Sequence, residues 1–439
     1  MDPAAGETAV GRVLRNSGWL IGAYALAFGF TFIQNVVLAR SLDPAGFGVL
    51  AVVISLVTFV QLLLGSRVWE AVTKFVVEFL ERGDPHRATA TVKLCLLVDA
   101  AGAVLGTMLL LILAEPAARV FAAPSAAGPI RLYSLSILVA IPVATTQALL
   151  RLADRFRWLA AQTAAENLAR LALVVVALVV AGPDLLAITG AFLAAASVAA
   201  ASLWFLGSRV VRPLGLTPWK SAKLSLLRED WRRILGFLLY SNLSGTARLV
   251  TGRVDVLIVG WLTDPASVGT YRLARTVADP LAAVATPVSH AVFPELSKLV
   301  HRGDVDSVRA LTRRIRATGA AVVLPVCLLT TLLAGVAIPW IFGESFSEAV
   351  PLTRIMVWQL VWIPFVWVPG LLLSLGRARL LATMTAIDAI SYLLLLLALV
   401  PAFGAAGAAW ATLLRFVGWT AMAAWIAPRV EADLEARVR

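Results

Sequence analysis

Six arginines, Arg170, Arg248, Arg253, Arg272, Arg275 and Arg415, fall within or beside long apolar stretches of the chain. So do five acids, Asp99, Glu166, Asp255, Asp279 and Asp388. A charge at the centre of a bilayer costs about 2.5–3.5 kcal/mol on insertion scales, so each must face a partner, a packed interior or water. Guanidinium stays charged in a poor solvent and presents a planar fork of donors that matches carboxylate or phosphate oxygens. Helical spacing sorts these groups. Glu166 and Arg170 are i,i+4 and are expected to neutralise each other. Arg248 and Asp255 share a face two turns apart, with Arg253 about 140° round from Arg248. Arg272, Arg275 and Asp279 form one stripe with two cations to one anion. The competing reading for Arg272 is a side chain that snorkels from a helix end to the interface.

Other chemistry is not supported. No Walker loop, metal-spaced His or Cys cluster, or nucleophile elbow occurs, and His86, His290 and His301 are scattered. Cys95 and Cys327 each lie in an apolar run, where neither a disulfide framework nor a metal site follows. We therefore expect no catalytic residue, no resident cofactor and no metal.

The elements that position the charges are membrane helices. Of 439 residues 60% are hydrophobic and 15% charged, with mean hydropathy +0.86. A soluble chain carries about 25% charged residues. Crossing hydrocarbon takes about 20 apolar residues in helix. Windows of that kind fall at 18–38, 46–66, 92–114, 130–150, 158–181 and 185–206, then at 234–262, 268–293, 315–341, 353–376, 380–401 and 404–427. The fold expected is an all-α integral membrane protein of about twelve transmembrane helices.

The net charge of +12 is topological. Of the 38 Lys and Arg, 28 lie in the tails and on one set of connections, against four on the opposite set. Scattered between apolar segments in this way, they argue against a nucleic-acid partner. The positive-inside rule places both termini in the cytoplasm. The polar N-terminus shows no cleavage site after a short apolar region and reads as a retained tail. Loops on the far side are short, at most about 16 residues, which counts against a membrane glycosyltransferase or polymerase.

The halves repeat. Leu42-Asp43-Pro44-Ala45 with Gly48 recurs as Thr263-Asp264-Pro265-Ala266 with Gly269, Arg82-Gly83-Asp84 as Arg302-Gly303-Asp304, Ile141-Pro142 as Ile363-Pro364, and Arg155-x-Arg157 as Arg377-x-Arg379. The offsets are 221, 220, 222 and 222. Six spans per repeat make the two bundles parallel, an architecture that places substrate between halves and rocks one against the other. The expected division is an N-terminal six-helix lobe, 1–217, a basic connector, 218–233, and a C-terminal six-helix lobe, 234–439. Pro142 and Pro364, at equivalent places, suggest helices that bend.

The first span's end, Ala39-Arg40-Ser41-Leu42-Asp43-Pro44 with Gly48, resembles the start of bacterial polysaccharide exporters. Gly252-Arg253-Val254-Asp255-Val256-Leu257-Ile258-Val259-Gly260, followed by Gly269-Thr270-Tyr271, looks like the same family's second-half signature. These are the lipid-linked oligosaccharide flippases of the multidrug/oligosaccharidyl-lipid/polysaccharide superfamily. The resemblance implies a MATE-like, V-shaped, two-lobe transporter rather than an enzyme, located in the bacterial inner membrane. It would move an undecaprenyl-pyrophosphate-linked oligosaccharide, an O-antigen or exopolysaccharide repeat unit, from the cytoplasmic to the periplasmic leaflet. Membrane lipids would be its surroundings, with a polysaccharide polymerase and glycosyltransferases as further partners. On that reading Arg253, Arg275, Arg272, Arg248 and Arg415 line a cavity and hold the pyrophosphate and acidic sugars. Asp255, Asp279, Asp388 and Asp99 are candidate counter-charges, or carriers of a coupling proton or sodium ion. Replacing Arg275 by alanine is expected to abolish export and leave protein levels normal. The alternative is a cation-coupled multidrug exporter of the same fold, whose cavity would be acidic.

Overall fold

The computed structural model describes residues 9–65, 68–218 and 222–438; for 9–21, 241–253, 290, 431, 433, 434 and 436–438 it describes the backbone alone. Among the described residues there is helix and turn, and no strand. In chain order the helices are α1 (Ala9–Ser41), α2 (Pro44–Leu64), α3 (Val68–Ala71), α4 (Val77–Glu81), α5 (Pro85–Val120), α6 (Ala127–Val139), α7 (Ile141–Leu152), α8 (Phe156–Ala181) and α9 (Leu185–Val211). There follow α10 (Trp231–Leu262), α11 (Pro265–Ala283), α12 (Ala285–Arg302), α13 (Val305–Phe342), α14 (Ala349–Met356), α15 (Val368–Ser374) and α16 (Ala378–Val438). Among the described residues nine stretches are long and apolar enough to cross a membrane. The last of them, Ala378–Val430, is broken by Gly404 at φ 58° and supplies two crossings. α10 and the α11–α12 pair cover the two further windows read from the sequence, 234–262 and 268–293. These two are the least apolar because they carry Arg248, Arg253, Asp255, Arg272, Arg275 and Asp279. The all-α membrane architecture expected from hydropathy is the one observed.

Helix starts are set by aspartate and proline. Asp84, Asp184, Asp264 and Asp304 cap α5, α9, α11 and α13 by accepting from backbone N–H groups two or three residues on. Asp264 is the most engaged: its Oδ1 accepts from Ala266 N at 2.9 Å and Ser267 N at 3.0 Å, and its Oδ2 from Ser267 Oγ at 2.8 Å. Partial burial would raise the Asp264 pKa, but the bonds from Ser267 and Ala266 outweigh burial and hold it below the ordinary carboxylate value. Asp264→Ala should lower stability by about 1 kcal/mol, the usual worth of such a cap. The deficit should be full above the unfolded carboxylate pKa of about 3.9 and vanish as pH falls through the depressed folded value. Melting of the purified variant against pH reads both.

The repeat is written into the backbone as well as the sequence. Left-handed or positive-φ residues pair at the same offsets: Gly83 (73°) with Gly303 (69°), Ala122 (49°) with Gly343 (109°), Asp154 (56°) with Gly376 (73°), and Gly182 (69°) with Gly404 (58°). The span containing α6 and α7 is interrupted ahead of Pro142, and its counterpart is wound as a 3₁₀ segment, Val357–Phe365, containing Pro364. Both equivalent prolines therefore mark breaks, as a residue without an N–H requires.

The residues group into two units, Met1–Ser41 with Val53–Leu249, and Leu42–Val52 with Val250–Arg439. In the first, α8 lies against α1 and α9, α9 also packs on α6 and α7, and α5 pairs with α6. The basic connector is tied into this unit by Arg87 to Glu229 (3.3 Å) and Asp230 (3.4 Å), and by Arg233 to Glu78 (2.9 Å). In the second, α11 and α16 flank α14, the 3₁₀ segment sits between α13 and α16, and α12 packs on α15. The beginning of α2 belongs to this second unit. There Gly48 and Gly269, the repeat-related glycines, meet with no room for a side chain: a Cβ on Gly48 would lie 1.7 Å from the Pro265 carbonyl oxygen, and one on Gly269 1.9 Å from that of Pro44. Ile112, Val179, Val180, Leu332 and Val336 stand exposed on the helices, an apolar surface suited to lipid.

Candidate functional site

Within the second unit, Asp255, Arg272, Arg275, Asp279, Asp388 and Arg415 lie on three elements: the end of α10, the middle of α11 and both arms of α16. Asp255, on α10, is fully buried. Its Oδ2 accepts from the Arg275 guanidinium, from Tyr271 OH at 2.7 Å and from Tyr392 OH at 3.1 Å. Thr412 Oγ1 lies 3.3 Å from Tyr271 OH and 3.2 Å from Tyr392 OH, so both hydroxyls are fixed by an oxygen at each end. Arg275 Nε donates to Asp279 Oδ2 at 2.9 Å, one helical turn along. Arg275 is 16% exposed and Asp279 37%, while Asp255 is closed off. The guanidinium is therefore anchored on its inner side and partnered by an accessible carboxylate on its outer side.

A second pair adjoins the first through Tyr392. Arg415 grips Asp388 in a fork, Nε to both oxygens at 3.0 Å and Nη2 to Oδ2 at 2.8 Å. Its guanidinium also lies over the rings of Tyr392 (4.8 Å) and Phe416 (4.9 Å), and Phe416 stacks on Trp362 at 6.1 Å. Arg272 is half-buried one turn before Arg275 on the same helix. Taken together, Arg272, Arg275 and Arg415 stand against Asp255, Asp279 and Asp388, three charges of each sign.

Spacing along one helix anticipates the Arg275–Asp279 contact. The structure adds Asp255 to it and pairs Asp388 with Arg415. The side chains of Arg248 and Arg253 lie outside the described residues. Asp99 is half-buried on α5 and belongs to the first unit. Tyr271, Tyr392 and Thr412 carry no charge, and nothing in the sequence marks them as site residues; only Tyr271 stands in a recognised motif. In the first unit the expected Glu166–Arg170 pairing is replaced. Glu166 accepts from Gln162 at 3.1 Å, and Arg170 donates to Asn167, which also accepts from Thr31 at 3.2 Å. A neighbouring amide engages each charge instead, and Arg170 Nε is left buried without a hydrogen-bond partner.

Residues 13–300 match the family described as polysaccharide biosynthesis protein. This chain belongs to that family. Curated relatives include the succinoglycan biosynthesis transport protein ExoT of Rhizobium meliloti, 32% identical over 125 residues, which is 28% of this chain and 24% of that one. The probable flippase AglR of Haloferax volcanii is 26% identical over 223 residues, 50% of this chain and 45% of that one. The chain thus aligns with less than half the length of either relative. Among solved structures, the lipid II flippase MurJ in an inward closed conformation superposes with a TM-score of 0.72 at 13% identity, covering 95% of this chain and 90% of that one. An inward-facing multidrug MATE transporter does so equally, 0.72 at 13%, covering 93% and 95%. At such identity the likeness establishes the fold, the one shared by MATE transporters and MurJ.

Proposed function

We propose that this protein is a flippase for a lipid-linked glycan, and that Arg275 receives the diphosphate of its substrate. The observation that carries the reading is the two-sided guanidinium. Asp255, sealed from solvent, holds Arg275 in one orientation, while Asp279 can be exchanged for an incoming anion. A diphosphate oxygen replacing Asp279 on the Nε edge gains a charge-assisted bond with a donor already aimed. Asp279, released, becomes the group that restores neutrality when the anion leaves. Arg272, one turn away on the same helix, is a second half-buried cation.

Family membership supports a glycan cargo, and the charge bias supports termini in the cytoplasm and movement toward the opposite leaflet of a bacterial inner membrane. An undecaprenyl-pyrophosphate-linked oligosaccharide fits that orientation, with glycosyltransferases supplying it and a polymerase consuming it. The energy source on this reading is a proton or sodium gradient or consumption of the product, with Asp255, Asp279, Asp388 and Asp99 as the groups able to carry a coupling cation. The reading involves no catalytic step.

Proteoliposomes containing a fluorescent undecaprenyl-diphosphate oligosaccharide test it, with transfer read by quenching from outside. The protein should accelerate transfer, and Arg275→Lys, which keeps the charge but loses the fork, should slow it at least tenfold. Transfer indifferent to Arg275→Lys removes the diphosphate from this residue. Efflux of a cationic dye with no glycan transfer would instead select the drug exporter.

A further inference from the structure

The first unit contains a cavity of about 370 Å³ that the transport reading leaves unused. Its walls are the first turns of α5 (Thr89, Val92, Leu96), the middle and end of α7 (Thr145, Leu149) and the last turns of α9 (Trp204 to Val211). All three helix ends lie on the arginine-rich side of the membrane. The lining is mostly apolar, and it runs inward from Arg212, at the mouth, past Ser208 and Gly207 to Trp204. From Val211 to Trp204 is seven residues, about 10 Å along the helix. Trp204 is 47% exposed, so the inner end opens sideways toward hydrocarbon.

The rim is a built one. After α9 the chain turns back through Gly215 at φ 75°. That turn places Leu216 and Thr217 over α5, and Thr217 N donates to Thr89 Oγ1 at 2.9 Å. The Thr89 hydroxyl in turn donates to the Pro85 carbonyl at 2.9 Å. A fixed roof therefore spans two helices and holds Arg212 at the opening.

The repeat shows that this space is a departure from the pattern. At the offset of 222, Thr145 corresponds to Trp367, and at 220 Leu96 corresponds to Arg316. In the second unit Trp367 is 1% exposed and packs in one cluster with Ile426 and Val430, the counterparts of Trp204 and Ser208. Arg316 covers its ring at 5.9 Å. The second unit fills the place with an indole; the first has a threonine there, whose Oγ1 is buried without a hydrogen-bond partner. Close packing is the default for protein interiors, so a volume vacated in one repeat and filled in the other points to an occupant from outside the chain.

We propose that this cavity takes one acyl chain of an anionic phospholipid from the leaflet on the basic side, with its phosphate at Arg212. A cavity of about 150 Å³ accommodates benzene; on that scale 370 Å³ holds roughly fifteen carbons, the size of one acyl chain and far short of a long polyprenyl. Arg212 is exposed at the mouth, and its forked donors suit a phosphate. The inference is independent of which glycan is carried.

The test uses the full-length protein in nanodiscs of phosphatidylcholine doped with phosphatidylglycerol bearing a diazirine in its acyl chain. After irradiation, labelled peptides are mapped by mass spectrometry. Label should concentrate on residues 89–96 and 204–211 at least fivefold over the outward face of α8 around Val179. The phosphatidylglycerol probe should exceed its phosphatidylcholine analogue. Thr145→Trp, the residue the other repeat already carries, should cut the concentrated label about tenfold and leave the Val179 region unchanged. Arg212→Gln, at an exposed site that does not threaten folding, should erase the headgroup preference. Label spread evenly over the lipid-facing helices, or a headgroup preference that survives Arg212→Gln, overturns the proposal. So does stronger capture of a diazirine polyprenyl phosphate, which would make the occupant a polyprenyl chain.

Discussion

Arg275→Ala is expected to deplete the folded protein, and Arg275→Ala combined with Asp255→Ala to restore it without restoring transport. Sequence alone predicts the opposite for the single variant, normal levels with lost export, because it reads Arg275 as a substrate ligand lining a cavity. The structure shows a different dependence. Asp255 is fully buried, and the cation it faces among its described contacts is Arg275; its other side-chain partners among the described residues are the hydroxyls of Tyr271 and Tyr392. Removing one partner of a buried ion pair costs about 3–5 kcal/mol, since the other charge is left without compensation. That is a large share of the roughly 5–15 kcal/mol that holds a typical fold together. In the double variant the stranded charge is gone, and the two tyrosines keep Thr412 as a partner at 3.3 and 3.2 Å. Size-exclusion recovery and thermal melting in detergent give the stability arm, and glycan transfer in vesicles the functional one. A single variant as stable as the parent would show that Asp255 is held by something other than Arg275. A double variant that transports normally would remove the pair from the mechanism.

The same site shows what was legible from residue order. Contacts along one helix follow from a period of 3.6, so Arg275 and Asp279 could be read together. Contacts between helices carry no such signal. Asp255 and Arg275 are 20 residues apart on two helices, and Asp388 and Arg415 are 27 apart across the break at Gly404. Pairing Arg248 with Asp255 by face is the best that one helix allows; which acid meets which base depends on how α10, α11 and α16 pack. Tyr392 and Thr412 are invisible for a further reason: in an apolar span a tyrosine or threonine costs little, so nothing marks the ones that hold a carboxylate. The fold was far more legible. Spans follow from hydrocarbon thickness, and the repeat is already present in the aspartate caps and turn glycines, which depend on local backbone chemistry alone. The cavity beneath Arg212 becomes legible only when the repeat is laid on coordinates, since Thr145 has no meaning until Trp367 is seen in its place.

The largest steric effect should come from the smallest change, Gly48→Ala or Gly269→Ala. In a helix, glycine to alanine ordinarily stabilises by about 1 kcal/mol through backbone entropy. Gly22, where an added methyl would meet nothing within 4 Å, should follow that rule. Gly48 and Gly269 should reverse it. Each would drive a methyl to 1.7 or 1.9 Å from a proline carbonyl oxygen of the other repeat, where 3.4 Å is ordinary contact. The obstacle is backbone, which cannot rotate aside as a side chain could, so α2 and α11 must separate. Overpacking a tight contact costs about 1–3 kcal/mol or more, and small residues are what let membrane helices approach in the first place. Because the contact is reciprocal, relieving one glycine's clash does nothing for the other, and the two variants should be equally impaired. This contact also accounts for the grouping of Leu42–Val52 with the second unit, although the rest of α2 belongs to the first. Melting of Gly22→Ala, Gly48→Ala and Gly269→Ala side by side is decisive. A rise for the first and a fall of several degrees for both others is the expected pattern, and a neutral Gly48→Ala would mean that the two repeats do not meet at this point.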